Sequence, residues 1–369
     1  MDLSKAFDTV DKQILEHKLS ALGICNNSRS LIDSYISNRN FCMNNDETLY
    51  KLTHGVPQGS ILGPLLFIMY TFDLVNVTQR NKVIVYADDT TVLVSGKSLT
   101  EAKQHCNAIL DRFYNYFTLN KLSINASKTK FMIYKPLLRG RNGKKLHDST
   151  NSNILMNNIP LEQVQSIKFL GVVLNNHLTW NDHQQHIYRK VSKSLGIIYK
   201  CLGVLNEKEC INMYKAFIQP YFLYAIEVWG HSIQSSTNTL VKLQSKVLRI
   251  LYNYKRSEDA WRYNNGRILT LKELYNKVIQ KVCFKHHMGI IPLCFTENTM
   301  PSMNVSQLEN RITRVSLEKM YDYKTEIKGS DTNFKNSCIR VWNLLPFEIK
   351  MLPYSHKGNA MNMFNKALS

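Results

Sequence analysis

The sequence predicts an α+β fold over its first half and mainly helical packing over its second. The segment "VIVYADDTTVLV", Val83 to Val94, sets two β-branched runs around Asp88 and Asp89, the pattern of a buried strand pair with an acidic turn. Helical spacing flanks this pair, and beyond residue 182 the strand signal fades while the helical spacing continues. With 369 residues, 44% of them apolar, the chain can bury a substantial core. Its 15 Gly and 9 Pro are too few for a low-complexity or collagen-like chain.

A short strand is expected around Asp2, running into a helix from Asp11 with Asp8 and Asp11 as candidate caps. That helix puts Ile14, Leu15, Leu19 and Leu22 on one face and stops at Gly23. A second short helix follows through Leu31, Ile32, Tyr35 and Ile36. In "GVPQGSILGPLLF", Gly55, Gly59 and Gly63 allow close backbone approach in a turn before an apolar helix, and Gln58 offers amide donors and an acceptor. Ser98 and Glu101 form a capping-box pattern ahead of Ala102, Cys106, Ile109, Phe113 and Phe117. Further strand candidates are Phe131–Tyr134, Ile154–Met156 and Ile167–Leu174, while the basic stretch Leu138–Asn153 lacks periodicity and reads as an exposed loop. Helical stripes then run through Ile187, Val191, Leu195, Ile198 and Leu202, and through Leu240, Leu243, Val247 and Leu251. Thr270 with Glu273 starts another, carrying Leu274, Val278 and Val282.

A net charge of +19 favours a polyanionic partner, with nucleic acid ahead of an anionic membrane surface. The excess is uneven, +5 over residues 1–182 and +14 over 183–369. No stretch approaches the ~20 apolar residues that span a bilayer, and Asp2, Lys5, Asp8 and Asp11 stand where a secretory signal needs an apolar core. The eight cysteines never form a C-x-x-C pair, which argues against a zinc module and for buried thiols in a reducing, intracellular compartment.

The chemistry starts from the carboxylates. A hairpin holding Asp88 and Asp89 together invites a divalent cation to offset their repulsion, and Mg²⁺ suits hard oxygen ligands and phosphate chemistry. Two such ions about 3.5–4 Å apart can stabilise both the attacking and the leaving oxygen of an in-line displacement. That arrangement needs a third carboxylate, and Asp2 supplies it.

In this order and at these spacings, "DLSKAFDTVD", "GVPQGSILGPLLF", "YADDT", "NASKTK" and "KFLGVVLNNHLTW" resemble the palm motifs of reverse transcriptases from non-LTR retrotransposons, the jockey and CR1-like group. The resemblance covers about residues 1–182, and "FIQPYFLYAIEVWG" and "RVWNLLPFEIK" are similar to the thumb and C-terminal segment of the same elements. It implies a right-hand-like palm, an antiparallel sheet with packed helices, over 1–182, and a helical thumb and C-terminal region over 183–369. It further implies Asp2, Asp88 and Asp89 as catalytic metal ligands for Mg²⁺, or Mn²⁺, with Asp88 the stronger of its pair. Phe7 falls where the family carries an aromatic that screens the sugar 2′ position. Gln58 would border the incoming nucleotide, shaped by Pro57, Gly59 and Ser60; Lys128 or Lys130 would face the triphosphate and help protonate pyrophosphate; Phe169, Leu170 and Gly171 match the primer-gripping hairpin.

The implied partners are an RNA template, a DNA primer and dNTP, without a membrane, and the implied place of action is the nucleus. The family's fingers region precedes the first palm motif, whereas this chain starts one residue before Asp2, so it is expected to be an N-terminally truncated piece without fingers. The alternative expectation is a non-catalytic remnant that binds RNA or an RNA/DNA hybrid through its basic face.

Overall fold

The computed structural model describes residues 1–42, 48–78, 82–134, 153–201, 204–233, 238–252, 268–291, 334–346, 349 and 360–367. Most of the expected loop Leu138–Asn153, and Leu202 of the first helical stripe, lie outside these residues. The chain divides into two compact units, residues 1–167 and 168–369.

The first unit opens with strand β1 (Leu3–Ser4) and a turn into α1 (Lys12–Ala21). Asp11 is the cap, its side chain accepting from the Ile14 N–H, and Gly23 at φ 81° follows the last turn. Asp8, the other expected cap, is engaged elsewhere, since its carboxylate accepts from the Gln58 amide at 2.9 Å. Next come α2 (Asn26–Ile36), β2 (Arg39–Phe41), β3 (Tyr50–Leu52) and α3 (Leu62–Tyr70), which a 3₁₀ turn over Phe72–Val77 extends. Strands β4 (Lys82–Tyr86) and β5 (Asp89–Leu93) form the expected hairpin, and Ser98 caps α4 (Leu99–Leu119) by accepting from the Glu101 N–H. Short strands β6 (Ser123–Ile124), β7 (Lys130–Phe131), β8 (Leu155–Met156), β9 (Ile159–Pro160) and β10 (Glu162–Gln163) complete the unit.

The strands pair two by two. Each ladder has two strands: β1–β6, β2–β3, β4–β5 and β8–β9 run antiparallel, while β7–β10 runs parallel. Only Lys130–Phe131 is strand where Phe131–Tyr134 was expected, because the β10 partner is itself two residues long. The candidate strand Ile167–Leu174 is broken at Leu170 and Gly171, both at positive φ, into β11 (Ser166–Phe169) and β12 (Val172–Asn175).

Packing in the first unit follows the helical stripes. Ile109, Phe113 and Phe117 of α4 bury with Leu15 and Leu19 of α1 and with Leu66, Phe67 and Tyr70 of α3. A polar network clamps the same three helices. The Lys18 ammonium donates to Asp73 at 2.8 Å, to the Tyr70 carbonyl at 2.5 Å and to the Tyr116 hydroxyl at 3.2 Å. Tyr116 also donates to Asp73, and Tyr70 donates to the Asn120 carbonyl at 2.6 Å. Burial pushes the Lys18 ammonium and the Asp73 carboxyl toward their neutral forms; the bonds from Lys18 and Tyr116 reverse this for Asp73 and hold it below the usual carboxylate range.

In the second unit, β12 follows the turn and leads to α5 (Asn181–Cys201), α6 (Glu207–Phe217), α7 (Gln219–Leu223) and α8 (Ile226–Trp229). After a 3₁₀ turn over Gly230–Ile233 come α9 (Thr239–Leu251), α10 (Leu271–His287), α11 (Phe334–Asn343) and α12 (Ala360–Ala367). Among the described residues no strand follows Asn175, as expected of a helical half. Thr270 and Glu273 form the expected capping box, and Asn206 with Glu209 forms another. One apolar core gathers Ile187, Val191, Phe222, Trp229, Val247 and Phe284. The fully buried Gln244 donates to the Tyr214 hydroxyl and the Leu269 carbonyl and accepts from the Leu271 N–H, so this polar group is satisfied while joining α6, α9 and α10. Among the described residues no helix is long and apolar enough to cross a membrane.

Replacing Asp73 by Asn removes the anion from a half-buried ammonium and is expected to cost about 2 kcal/mol, measured by urea unfolding at pH 7. The depressed Asp73 carboxyl contributes stability above its unfolded value and loses it as pH falls through the lower folded value. The gap between wild type and variant therefore stays constant above ~pH 5 and narrows below ~pH 4; a gap that widens on acidification would contradict the assignment.

Candidate functional site

The site begins at a pair of backbone hydrogen bonds. The Met1 amino nitrogen donates to the Thr90 carbonyl at 2.6 Å, and the Thr90 N–H donates back to the Met1 carbonyl at 3.3 Å. Two residues that exchange both bonds form the hydrogen-bonded pair of an antiparallel ladder, so the next residues, Asp2 and Asp89, stand opposite each other. In such a pair the Cα atoms are about 4.5 Å apart, with both side chains on one face. On its other side Asp2 is held by the Asn125 N–H, which donates to the Asp2 carbonyl at 2.9 Å, in register with the β1–β6 pairing of Leu3 with Ile124. The Asp2 N–H donates to the hydroxyl of the buried Thr129. Burial drives the Met1 ammonium below its ordinary value, against the pull of the Asp89 and Asp2 carboxylates.

Asp88 lies one residue earlier. Tyr86 pairs with Asp89, leaving Ala87 and Asp88 as a two-residue turn with Ala87 at φ 52°, the left-handed first position of a primed hairpin turn. Asp88 is half-buried and Asp89 exposed. All the candidate donors are carboxylate oxygens, a chemistry that fits a hard divalent cation. Among the described residues, however, no three His, Cys, Asp or Glu side chains are grouped to hold a metal ion. Asp2 and Asp89 each adjoin one member of the bonded Met1–Thr90 pair, whereas Asp88 sits in the hairpin turn.

The two lysines separate. Asn125 heads a tight turn, its side chain accepting from the Lys128 N–H and the Ser127 hydroxyl, and this brings the Lys128 ammonium 3.8 Å from an Asp2 oxygen. The Lys128 side chain is otherwise 71% exposed. Lys130, in β7, instead pairs with Glu162 of β10 at 3.0 Å, because the parallel register sets those residues side by side.

The loop through Pro57, Gln58, Gly59 and Ser60 packs on the turn between β1 and α1. The Gly55 N–H donates to the Val10 carbonyl and the Val56 N–H to the Phe7 carbonyl, each at 2.8 Å. A Cβ on Gly55 would lie 2.8 Å from the Asp8 carbonyl oxygen, and its φ of 86° excludes other residues as well. Gly63 is likewise crowded, by the Pro57 carbonyl, but Gly59 has open space around it and is set apart by its conformation alone. The Ser60 hydroxyl donates to the Pro57 carbonyl and accepts from the Gly63 N–H, which joins the turn to α3. Phe7 is half-buried, its ring 4.8 Å from that of Phe67, and Gln58 is tied to Asp8. Phe169, Leu170 and Gly171 belong to the hairpin that opens the second unit.

Sequence reasoning passed over Thr90 and Thr129, both buried polar residues whose role appears only through their backbone and hydroxyl bonds to the first two residues. It also missed Asn125, whose signal was present as an Asn opening a short polar turn in "NASKTK".

Comparison with known proteins identifies the family that the first unit resembles. Residues 1–174 match the family described as reverse transcriptase (RNA-dependent DNA polymerase). The chain is similar to the RNA-directed DNA polymerase from mobile element jockey of Drosophila funebris, 28% identical over 275 residues, covering 70% of this chain and 29% of that protein. The jockey protein of Drosophila melanogaster is 27% identical over 278 residues, 71% of this chain and 29% of that one. The probable RNA-directed DNA polymerase from transposon X-element of the same fly is 24% identical over 261 residues, 68% and 28%. The chain thus spans less than a third of the length of these relatives. A domain of this family implies a palm-type polymerase fold, and enzymes of the family use divalent metal ions; the mixture of helices and small sheets agrees with that fold. Residues 1–174, which carry Asp2, Asp88, Asp89 and Lys128, therefore belong to the reverse transcriptase family, of the kind found in non-LTR retrotransposons.

Proposed function

We propose that this chain is the palm and thumb portion of an RNA-directed DNA polymerase that transfers a nucleotidyl group from dNTP to a primer 3′-hydroxyl under direction of an RNA template. The observation that carries the reading is the antiparallel register that sets Asp2 against Asp89, with the Lys128 ammonium 3.8 Å from Asp2. Asp2, Asp88 and Asp89 would hold magnesium, or manganese, which when bound neutralises phosphate charge and favours ionisation of an attacking hydroxyl.

The chain's own groups supply the rest. Lys128 is an exposed ammonium beside the Asp2 carboxylate, suited to meet the triphosphate and to hand a proton to the departing pyrophosphate. Lys130 is the weaker candidate, being drawn off by Glu162. Phe7, braced by Phe67, would exclude a ribose 2′-hydroxyl by contact. Gln58, presented by Pro57, Gly59 and Ser60, would border the nucleotide, and its amide is oriented by Asp8. The net +14 of residues 183–369 supports a helical thumb that holds the hybrid by its phosphates, without reading sequence.

Primer extension on an RNA template with magnesium tests the reading. Asp88→Ala and Asp2→Asn are expected to abolish incorporation, by about 10³-fold or more, while leaving hybrid affinity within about twofold. Hybrid binding by the wild type without Asp88-dependent incorporation would instead identify a remnant that only binds nucleic acid.

The lysines give a sharper contrast. Lys128→Ala should lower kcat by about 10- to 100-fold, and Lys130→Ala by less than about threefold; equal losses would remove Lys128 from the proposed role. Phe7→Val should raise ribonucleotide incorporation relative to deoxyribonucleotide by about tenfold or more in competition assays, and an unchanged ratio would exclude steric screening by Phe7.

A further inference from the structure

The turn that joins β11 to β12 is strained and externally braced. Leu170 and Gly171 both have left-handed backbone, at φ 43° and 83°. For Leu this conformation is unfavourable, and it persists only where the surroundings over-determine it. Two braces are present, one on each side. The Tyr224 hydroxyl donates to the Leu170 carbonyl at 2.6 Å, and the Tyr224 ring lies so close to Gly171 that a Cβ there would be 2.8 Å from its Cε1. Beyond the turn, the Val173 N–H donates to Nδ1 of the buried His183 at 3.2 Å.

Both braces converge on one indole. Tyr224 ends α7, its N–H bonded to the Pro220 carbonyl, and its own carbonyl accepts from Trp229 Nε1 at 2.9 Å. Ala225, next along, takes a positive φ of 50°, so the chain turns sharply to bring Trp229 back under Tyr224. The ring of Trp229, fully buried, meets His183 edge-on with centroids 5.3 Å apart. Tyr224 itself is 56% exposed, so its ring is not part of the core it stands on. The segment "FIQPYFLYAIEVWG" therefore ends in a device that grips a turn some fifty residues earlier.

We propose that Tyr224 is a positioning residue for the polymerase reaction, its hydroxyl and ring fixing the Leu170–Gly171 turn so that this turn presents its backbone to the primer terminus. His183 acts as the second positioning residue through Val173, and Trp229 supports both. The proposal rests on the reading of Phe169–Gly171 as the primer-contacting turn. Burial, and to a lesser degree His186, lowers His183 to about 4 and keeps its imidazole neutral, as an acceptor from Val173 requires.

The test uses the full chain with an RNA template and a DNA primer ending in a photoreactive thiothymidine, crosslinked without metal and extended with magnesium. In the wild type the primer end should crosslink to the peptide containing residues 168–175. Tyr224→Phe removes one hydroxyl oxygen from an exposed ring, so the melting temperature should hold. The crosslink should be largely lost, and kcat should fall by about 10-fold or more with KM for dNTP little changed. Gly171→Ala, which drives a methyl into the Tyr224 ring, should reproduce the loss of crosslink.

A wild-type crosslink to this peptide that survives Tyr224→Phe undiminished, with kcat unchanged, would overturn the positioning role while leaving the primer-turn reading intact. A wild-type chain whose primer end crosslinks elsewhere would overturn that reading and the positioning role with it.

Discussion

The reciprocal backbone bonds between Met1 and Thr90 are the constraint on which the candidate site depends. They set a register, and register in an antiparallel ladder decides which side chains face each other. A slip of one residue would turn Asp2 to the opposite face from Asp89. Extended past the Met1–Thr90 pair, an antiparallel register would put the Asp2 and Asp89 carboxylates on one face, an arrangement that is unfavourable by itself. It becomes useful where positive charge is supplied, and Lys128 already leans on Asp2 from the neighbouring turn.

That register is held from behind by ordinary packing. Met1, just before β1, is bonded to Thr90 of β5, and β1 itself pairs with β6 through Leu3 and Ile124. β6 follows directly from α4, whose buried Phe113 and Phe117 tie it to α1 and α3. The cluster of Lys18, Asp73, Tyr70 and Tyr116 then fixes the mutual rotation of these helices by directional bonds that an apolar contact alone would leave free. The loop through Gln58 is fastened to the turn carrying Phe7 by backbone bonds and by a glycine that permits close approach.

In the second unit the same economy appears with different parts. Gln244 satisfies its buried amide across three helices, and Trp229 divides its contacts between core packing and support of a strained turn. Among the described residues the buried cluster of this unit is built mainly of apolar side chains.

Much was legible from residue order. The strand pair around Asp88 and Asp89, the caps at Asp11, Ser98 and Thr270, and the helical stripes of the second half all rest on interactions between near neighbours, which local spacing records. So did the membership of the first half in its family, because five motifs in order carry it. Other features were decided by tertiary structure. Asp8 gave up a capping role to Gln58, Lys130 was taken by Glu162, one expected strand broke into a hairpin at Leu170, and Met1, beside Asp2, bonded to Thr90, beside Asp89. Each of these depends on a partner dozens of residues away or on a backbone conformation that side-chain pattern does not encode. Periodicity is a record of near neighbours, and the meeting of distant strands is fixed only when the helices behind them pack.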